Sequence, residues 1–414
     1  MCIRDRFKVR ASYGSLGNQN TSSLYPTYST IGTGTGSWII DGTLANIAWA
    51  PSLVSYNLSW EKIRTWNAGV DFGLFNNRLT GSFDYYIRKT DDMVGPSEKL
   101  PVVLGTAVPS SNNTNLKTFG WELELMWKDR LNNGLNYSAR FTLADSRTKI
   151  TRYSNPSGLI DGFYAGKYVG EIWGYETIGI AQSDQEMAEH IGRLINGGQN
   201  NLGQDWKAGD IMYKDLNEDG KIDAGSRTLQ DHGDLKRIGN STPRYNVGLE
   251  LAADWKRFDI RMFWQGTLKR DYFQGSYYFW GANGRQGPWF STALKGHDDY
   301  FRNDETSPLG TNLNSYYPRP LFNTDKNQQS QTKYLQDASY LRLKNLQIGY
   351  SLPHNIVQKM GMQNLRIFAS GENLFTITSL IDFFDPESIE GGSWGHGNVY
   401  PLSRTFSFGL NVTF

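Results

Sequence analysis

The closing residues, Arg404 to Phe414 (RTFSFGLNVTF), constrain the fold more than any other stretch. Phe406, Phe408, Leu410, Val412 and Phe414 are apolar, and Thr405, Ser407, Gly409, Asn411 and Thr413 between them are small or polar. A side-chain period of two puts each set on its own face of a β-strand. This strand therefore has one oily face and one wet face, and it ends on a bare aromatic residue. An edge strand in water seldom ends that way, whereas the closing strand of a membrane β-barrel does, with the terminal aromatic, here Phe414, as its assembly signal.

The same alternation recurs along the chain. It predicts strands at Phe7 to Leu16, Lys62 to Phe75, Arg78 to Thr90, Leu116 to Lys128, Leu135 to Lys149, Arg244 to Asp254, Phe258 to Leu268, Lys333 to Leu352, Asn364 to Ile377 and Arg404 to Phe414. Each is near the length a tilted strand needs to cross a bilayer. The connectors sort by parity. Those around residues 76–77, 129–134, 255–257 and 353–363 are short, and those around 17–61, 91–115, 150–243, 269–332 and 378–403 are long. A soluble sandwich has no reason to sort its loops this way, but a membrane barrel places tight turns on one rim and long loops on the other. The predicted fold is an all-β, antiparallel, up-and-down transmembrane barrel portion of about ten strands. Its long loops, above all residues 150–243, face outward, and its C-terminus lies on the periplasmic rim. The alternative is a soluble or surface-bound carbohydrate-binding β-sandwich.

Composition removes other classes. No run approaches the roughly 18 apolar residues of a membrane-spanning helix. A mean hydropathy of -0.53 is as compatible with a barrel as with a soluble chain. A formal net charge of +1 with no basic stripe argues against a nucleic-acid partner. The single cysteine, Cys2, can neither close a disulfide nor build a metal cluster. Residues 1–6 (MCIRDR) run straight into the first strand and look unrelated to it, so the expected division is a leader at 1–6 and a barrel portion at 7–414.

Two helices are legible in the connectors. Ser183-Asp184-Gln185-Glu186 is a capping box that opens an amphipathic run, with Met187, Ile191, Leu194 and Ile195 on one face and Gly197-Gly198 as its stop. Pro353 suits the start, and Gly361 the end, of a helical turn over His354 to Met360.

Candidate binding residues follow from side-chain chemistry. Asp215, Asn217, Asp219 and Asp223 occupy positions 1, 3, 5 and 9 of a calcium-loop pattern, with Gly220 at the sharp turn. Position 12 is Ser226, so the bidentate glutamate is missing. A structural Ca2+ ion is one reading of this segment, and a solvated Asp/Asn/Gly turn is the other. Aromatic residues crowd the long connectors: Trp280 and Trp289 stand in one with Tyr316 near its end, and Trp394 stands in the last. Flat rings stack on sugar faces, and they also pack loops together. The strand aromatics Tyr85, Trp127 and Trp264 fit a lipid-interface girdle. Gly391 to Gly395 has the spacing of a nucleophile elbow, but it lies in a glycine-rich loop and carries no catalytic reading. No catalytic residue is assigned.

Longer phrases carry a resemblance. NLSWEKIRTWNAGVDFGLFNNRLTGSFDYYIRKTDDM (Asn57 to Met93), GDIMYKDLNEDGKID (Gly209 to Asp223), YLRLKNLQIGYSLP (Tyr340 to Pro353), LRIFASGENLFTIT (Leu365 to Thr378) and YPLSRTFSFGLNVTF (Tyr400 to Phe414) resemble the SusC/RagA-type TonB-linked outer-membrane proteins. The resemblance implies a 22-stranded barrel in the outer-membrane lipid, plugged by an N-terminal domain. It also implies energy supplied by the TonB complex, a SusD-like surface lipoprotein as partner, and import of glycans or peptides. On that pattern the ten strands correspond to the C-terminal part of the barrel, a fragment that is not expected to transport alone.

Overall fold

The computed structural model describes residues 6–19, 27–51, 53–55, 57–95, 103, 108–282, 284–285, 288, 291, 293–392 and 397–414. Ten strands form one sheet: β1 (Arg6–Asn18), β2 (Glu61–Leu74), β3 (Leu79–Met93), β4 (Thr114–Arg130), β5 (Asn136–Arg152), β6 (Arg244–Trp255), β7 (Phe258–Lys269), β8 (Tyr340–Ser351), β9 (Asn364–Thr378) and β10 (Thr405–Thr413). Each is antiparallel to the next in sequence, so the sheet is a single meander. All ten strands expected from the alternation are present.

The differences from expectation lie at strand ends and in the long connectors, where four unexpected two-stranded sheets form, among them the hairpin of Thr33–Ile40 and Thr43–Ala48. Arg6, expected with the leader, is the first residue of β1 and sits opposite Gly73. The run from Lys333 to Leu352 divides. Leu335–Asp337 pairs with Asp271–Phe273 instead, and β8 starts only at Tyr340. Asp337 causes the break: its carboxylate accepts from the Ser339 amide at 2.9 Å, which turns the chain between the two segments.

Register separates the faces. Val9, Val70, Phe83, Leu123, Leu143 and Val247 stand opposite one another across six strands. One residue along, the row reads Arg10, Gly69, Asp84, Glu122, Ala144 and Asn246. At the far end Ile260, Ile348, Ala369 and Phe408 face one way, and Arg261, Gln347, Ser370 and Ser407 face the other. The apolar face is uncovered on inner strands as well as at the edges: Phe83 is 41% exposed and Ile348 48%. No second sheet packs on it among the described residues, because the remaining sheets have two strands each. That removes the sandwich alternative, which needs two facing sheets around a shared core.

Aromatic rings border the apolar face at both ends. Near the short turns Phe75 lies 6.2 Å from Trp127 and Phe258 lies 4.7 Å from Tyr350, while Trp127 donates to the Tyr137 hydroxyl at 3.2 Å. Near the long connectors Tyr13 lies 5.1 Å from Trp66 and Trp264 lies 6.4 Å from Phe375. From Phe258 to Trp264 the strand runs about 20 Å, close to the roughly 25 Å apolar band of a membrane barrel.

The buried core lies in the long connectors. Ile160, Tyr213, Phe279, Tyr317, Tyr334 and Ile389 belong to one cluster drawn from residues 153–243, 270–339 and 379–404. A sheet protein in water buries its apolar face under a second layer. This chain leaves that face open and folds its loops into a compact body at one rim. Helix α1 (Asp184–Arg193) belongs to that body: Ser183 Oγ accepts from the Glu186 amide at 3.1 Å, and Met187 is buried. Ile195, expected on the same inner face, is instead 83% exposed, since the helix ends at Arg193 and Leu194 is its cap. On the opposite rim, Pro353 precedes the helical turn His354–Val357, and Gly361 at φ 73° stops the 3-10 turn that follows. Phe414 lies one residue past β10 on this short-turn rim, where the Gln363 amide donates to the Thr413 carbonyl at 2.7 Å.

Candidate functional site

The loop body holds a cavity of about 580 Å³ between three connector segments, residues 160–175 with 227–235, residues 273–285, and residues 325–330. The first wall is set by a short ladder in which Glu171–Gly174 pairs with Lys236–Asn240. The third wall is drawn against it. Ser330 Oγ donates to the Trp173 carbonyl at 2.8 Å, and the Tyr175 amide donates to the Ser330 carbonyl at 2.8 Å. Gly174 permits this approach, since a Cβ there would stand 2.5 Å from the Ser330 carbonyl oxygen.

Charged groups in the cavity wall are hydrogen-bonded within it, two of the acids to guanidinium groups. Arg227 donates through both arms of its fork to Asp161 at 2.9 Å, and Arg285 reaches Asp325 at 2.9 Å. Lys167 donates to the carbonyls of Ile160 and Gly162 at 3.0 and 2.8 Å, and burial lowers its pKa. Glu171 accepts from the Tyr164 hydroxyl at 2.7 Å; burial first, and then this carboxylate, push the phenol up to about 12. Two further wall side chains, Trp173 and Ser276, each carry a polar atom with no hydrogen-bond partner, the indole Nε1 and the hydroxyl. Ser276 is only 2% exposed.

A buried ion cluster ties the first connector to the third wall. Asp210 is fully buried and accepts from Arg319 at 2.7 and 2.8 Å, Lys326 at 2.8 Å and Asn327 at 2.9 Å. Burial raises its pKa, but these donors outweigh burial and hold the carboxyl below its ordinary range.

The aromatic residues predicted to bind ligand divide. Trp280 is 6% exposed, wedged against Tyr334 at 4.6 Å and Phe279 at 5.0 Å, so it is part of the loop core and not a surface platform. Tyr316 packs edge-on to Tyr317 and Tyr334 at 4.8 and 5.4 Å, and its hydroxyl accepts from Gln336 at 2.9 Å. The hydrophobic effect explains both: connectors this long need a core of their own, and large rings supply it. Trp289 and Trp394 lie outside the described residues. The cavity brings forward Trp173, Arg227 and Ser276, which sequence reasoning missed. They come from segments far apart in the chain, and no local spacing marks them.

Asp215, Asn217, Asp219 and Asp223 share one tight turn. Asp215 accepts from the Gly220 amide at 2.8 Å, Asn217 from the Asp219 amide at 3.2 Å, and Asp219 from the Lys221 amide at 3.1 Å. The Lys221 ammonium sits 2.6 Å from Asp223. Among the described residues no group of three or more His, Cys, Asp or Glu side chains converges as a metal site would.

Comparisons with known proteins agree with this architecture. Residues 3–374 match the family described as TonB dependent receptor-like, beta-barrel. TonB-dependent receptor P3 of Formosa agariphila is 29% identical over 433 residues, covering 99% of this chain and 39% of the receptor. TonB-dependent receptor SusC of Bacteroides thetaiotaomicron is 26% identical over 373 residues, covering 88% of this chain and 33% of its own length. Among solved structures, the RagAB peptide transporter matches with a TM-score of 0.70 at 22% identity, over 99% of this chain and 41% of that one, which shows the shared fold. The chain spans about two-fifths or less of the length of these curated relatives.

Proposed function

Since the chain belongs to the TonB-dependent receptor-like β-barrel family, whose members are outer-membrane transporters and not enzymes, we propose that it is the C-terminal barrel part of an importer of oligosaccharides or peptides. The observation that carries this reading is the ten-strand apolar face, open to its surroundings and backed by a polar face with charged pairs. Water gives such a surface no stable state, whereas lipid does. In this reading the short turns and Phe414 face the periplasm and the long connectors face outside, where the loop cavity meets ligand and a SusD-like lipoprotein docks. The TonB complex engages through the portion of the relatives' length that this chain does not span. The ten strands alone do not transport, because β1 and β10 are each paired on one side only among the described residues.

Fractionation of cells that make the protein tests the proposal. The chain is expected in the outer-membrane fraction after carbonate washing, with heat-modifiable migration on gels. Recovery as a monomer in the soluble fraction overturns it. For the Asp215 turn we propose a structural Ca2+ site, supported by Asp215 Oδ1, a buried carboxylate oxygen without a hydrogen-bond partner. Titration calorimetry with CaCl2 that gives the same null heat for wild type and Asp215→Asn rejects it.

A further inference from the structure

We infer that the outward face of β2 to β5 binds the phosphorylated headgroup of an anionic lipid in the outer leaflet. This takes its setting from the outer-membrane reading and adds a lipid site to it. At the long-connector end of the sheet Arg64, Lys89, Lys117 and Lys149 stand opposite one another, one on each of four adjacent strands. The sequence shows no basic stripe because register, and not chain order, brings them together. The same register puts them on the apolar face. Two residues nearer the band the row reads Trp66, Ile87, Phe119 and Arg147, and further in Tyr85 stands opposite Trp121 and Phe83 opposite Leu123. At ordinary strand spacing the four cations span about 14 Å, and they lie about 7 Å beyond the Tyr13–Trp66 ring pair. Rings of this kind mark the membrane interface, so the cations stand at the level of the headgroups.

Such a row is costly by itself, since like charges opposite each other on neighbouring strands repel. Arg64 is answered by Asp91, but among the described residues no carboxylate pairs with Lys89, Lys117, Arg147 or Lys149. Rings hold three of these cations instead. Lys89 Nζ lies 5.4 Å from the Trp66 ring, and Arg147 and Lys149 lie 4.1 and 5.6 Å from that of Tyr168. A ring orients a cation without cancelling its charge. A phosphate cancels it, because its oxygens accept from several ammonium groups at once. The apolar residues beneath the row decide the source of that phosphate. Acyl chains carried by the same molecule lie against Ile87, Phe119 and Trp121, whereas a dissolved anion makes no use of that surface. The charge is also local, which marks a site and not a uniform belt. At the same level on β7 to β9 the row is Gly266, Leu341 and Ile377, and at the short-turn end of β2 to β5 it is Leu74, Leu79, Trp127 and Ala139.

The test is native mass spectrometry and thermal unfolding of the full chain in dodecyl maltoside micelles. The probes are bisphosphorylated lipid A, dioleoyl phosphatidylcholine and sodium pyrophosphate, each added alone and the last also as a competitor. Lipid A is expected to bind and to raise the melting temperature, and the other two to do neither. Lys89→Gln combined with Lys117→Gln is expected to weaken lipid A binding about thirtyfold. The pair removes like-charge repulsion, so its melting temperature without lipid is expected to equal or exceed that of the unsubstituted chain. Lys89→Arg with Lys117→Arg is expected to keep the binding, as is Lys359→Gln on the opposite rim. If the Gln pair fails to fold, Lys149→Gln alone takes its place, with an expected weakening of about fivefold. Failure of lipid A to bind, equal binding of phosphatidylcholine, full competition by pyrophosphate, or undiminished lipid A binding by the Gln variants overturns the inference. Those results leave the import reading standing, whereas recovery of the chain as a soluble monomer removes both.

Discussion

At the scale of single residues, the strongest constraint on the loop body is Asp210, a fully buried carboxylate held by Arg319, Lys326 and Asn327. Removing it strands two cations, one of them nearly buried, so Asp210→Ala is predicted to cost about 3–5 kcal/mol. Chemical denaturation in micelles measures the loss. The same carboxyl predicts a pH dependence. Its folded pKa lies below the ordinary aspartate value of about 3.9. Its contribution is therefore fully present above that value and disappears as pH falls through the folded pKa. The melting temperature of the loop body is expected to hold from pH 7 to about 5 and to drop below about 4, with a smaller drop in Asp210→Asn; equal drops would assign the acid sensitivity elsewhere. On the sheet, Arg10 lies flat across β1 to β3, forking onto Asp71 at 2.9 and 2.8 Å and onto Asp84 at 3.0 and 2.8 Å. Gly69 makes room beneath it, since a Cβ there would stand 2.4 Å from Asp84 Oδ1. Gly69→Ala is predicted to cost about 1–3 kcal/mol through overpacking. An unchanged urea midpoint would show that the fork can shift freely.

At the scale of elements, the two faces of each strand carry opposite demands. Phe408 on the apolar face of β10 and Ser407 on its polar face are neighbours in sequence with opposite surroundings. Phe408→Arg is predicted to destabilise by about 2–4 kcal/mol, the cost of a cation near the middle of a lipid-facing band. Ser407→Arg is predicted to change stability little. The folded fraction on heat-modifiability gels separates the two, and equal losses would mean that β10 does not face lipid. Strands and α1 were legible because their causes are local. Alternation is written residue by residue, and the Ser183 hydroxyl that caps α1 lies three residues from its donor, the Glu186 amide. Strand ends were less legible. The Asp337 turn that splits Lys333 to Leu352 interrupts no hydrophobic pattern; it acts through one side-chain hydrogen bond.

For the whole molecule, an inverted layout follows from these parts, with the apolar sheet face outside and the buried core in the connectors. Light scattering is the check: transfer out of detergent is predicted to drive association, and a stable monomer in plain buffer contradicts the layout. By itself the sequence determined the class of fold, the number and direction of the ten strands of the main sheet, the face each of their residues takes and the rim on which Phe414 ends. All of these descend from a period of two and from connector length. Only the tertiary structure decided the site. It turned Trp280 and Tyr316 from a presumed binding surface into core packing, and it assembled Trp173, Arg227 and Ser276 into one cavity. The physical reason is distance along the chain. A strand's faces are set by neighbouring residues, whereas this cavity depends on contacts such as Trp173 with Ser330, separated by more than a third of the sequence, which no local pattern encodes.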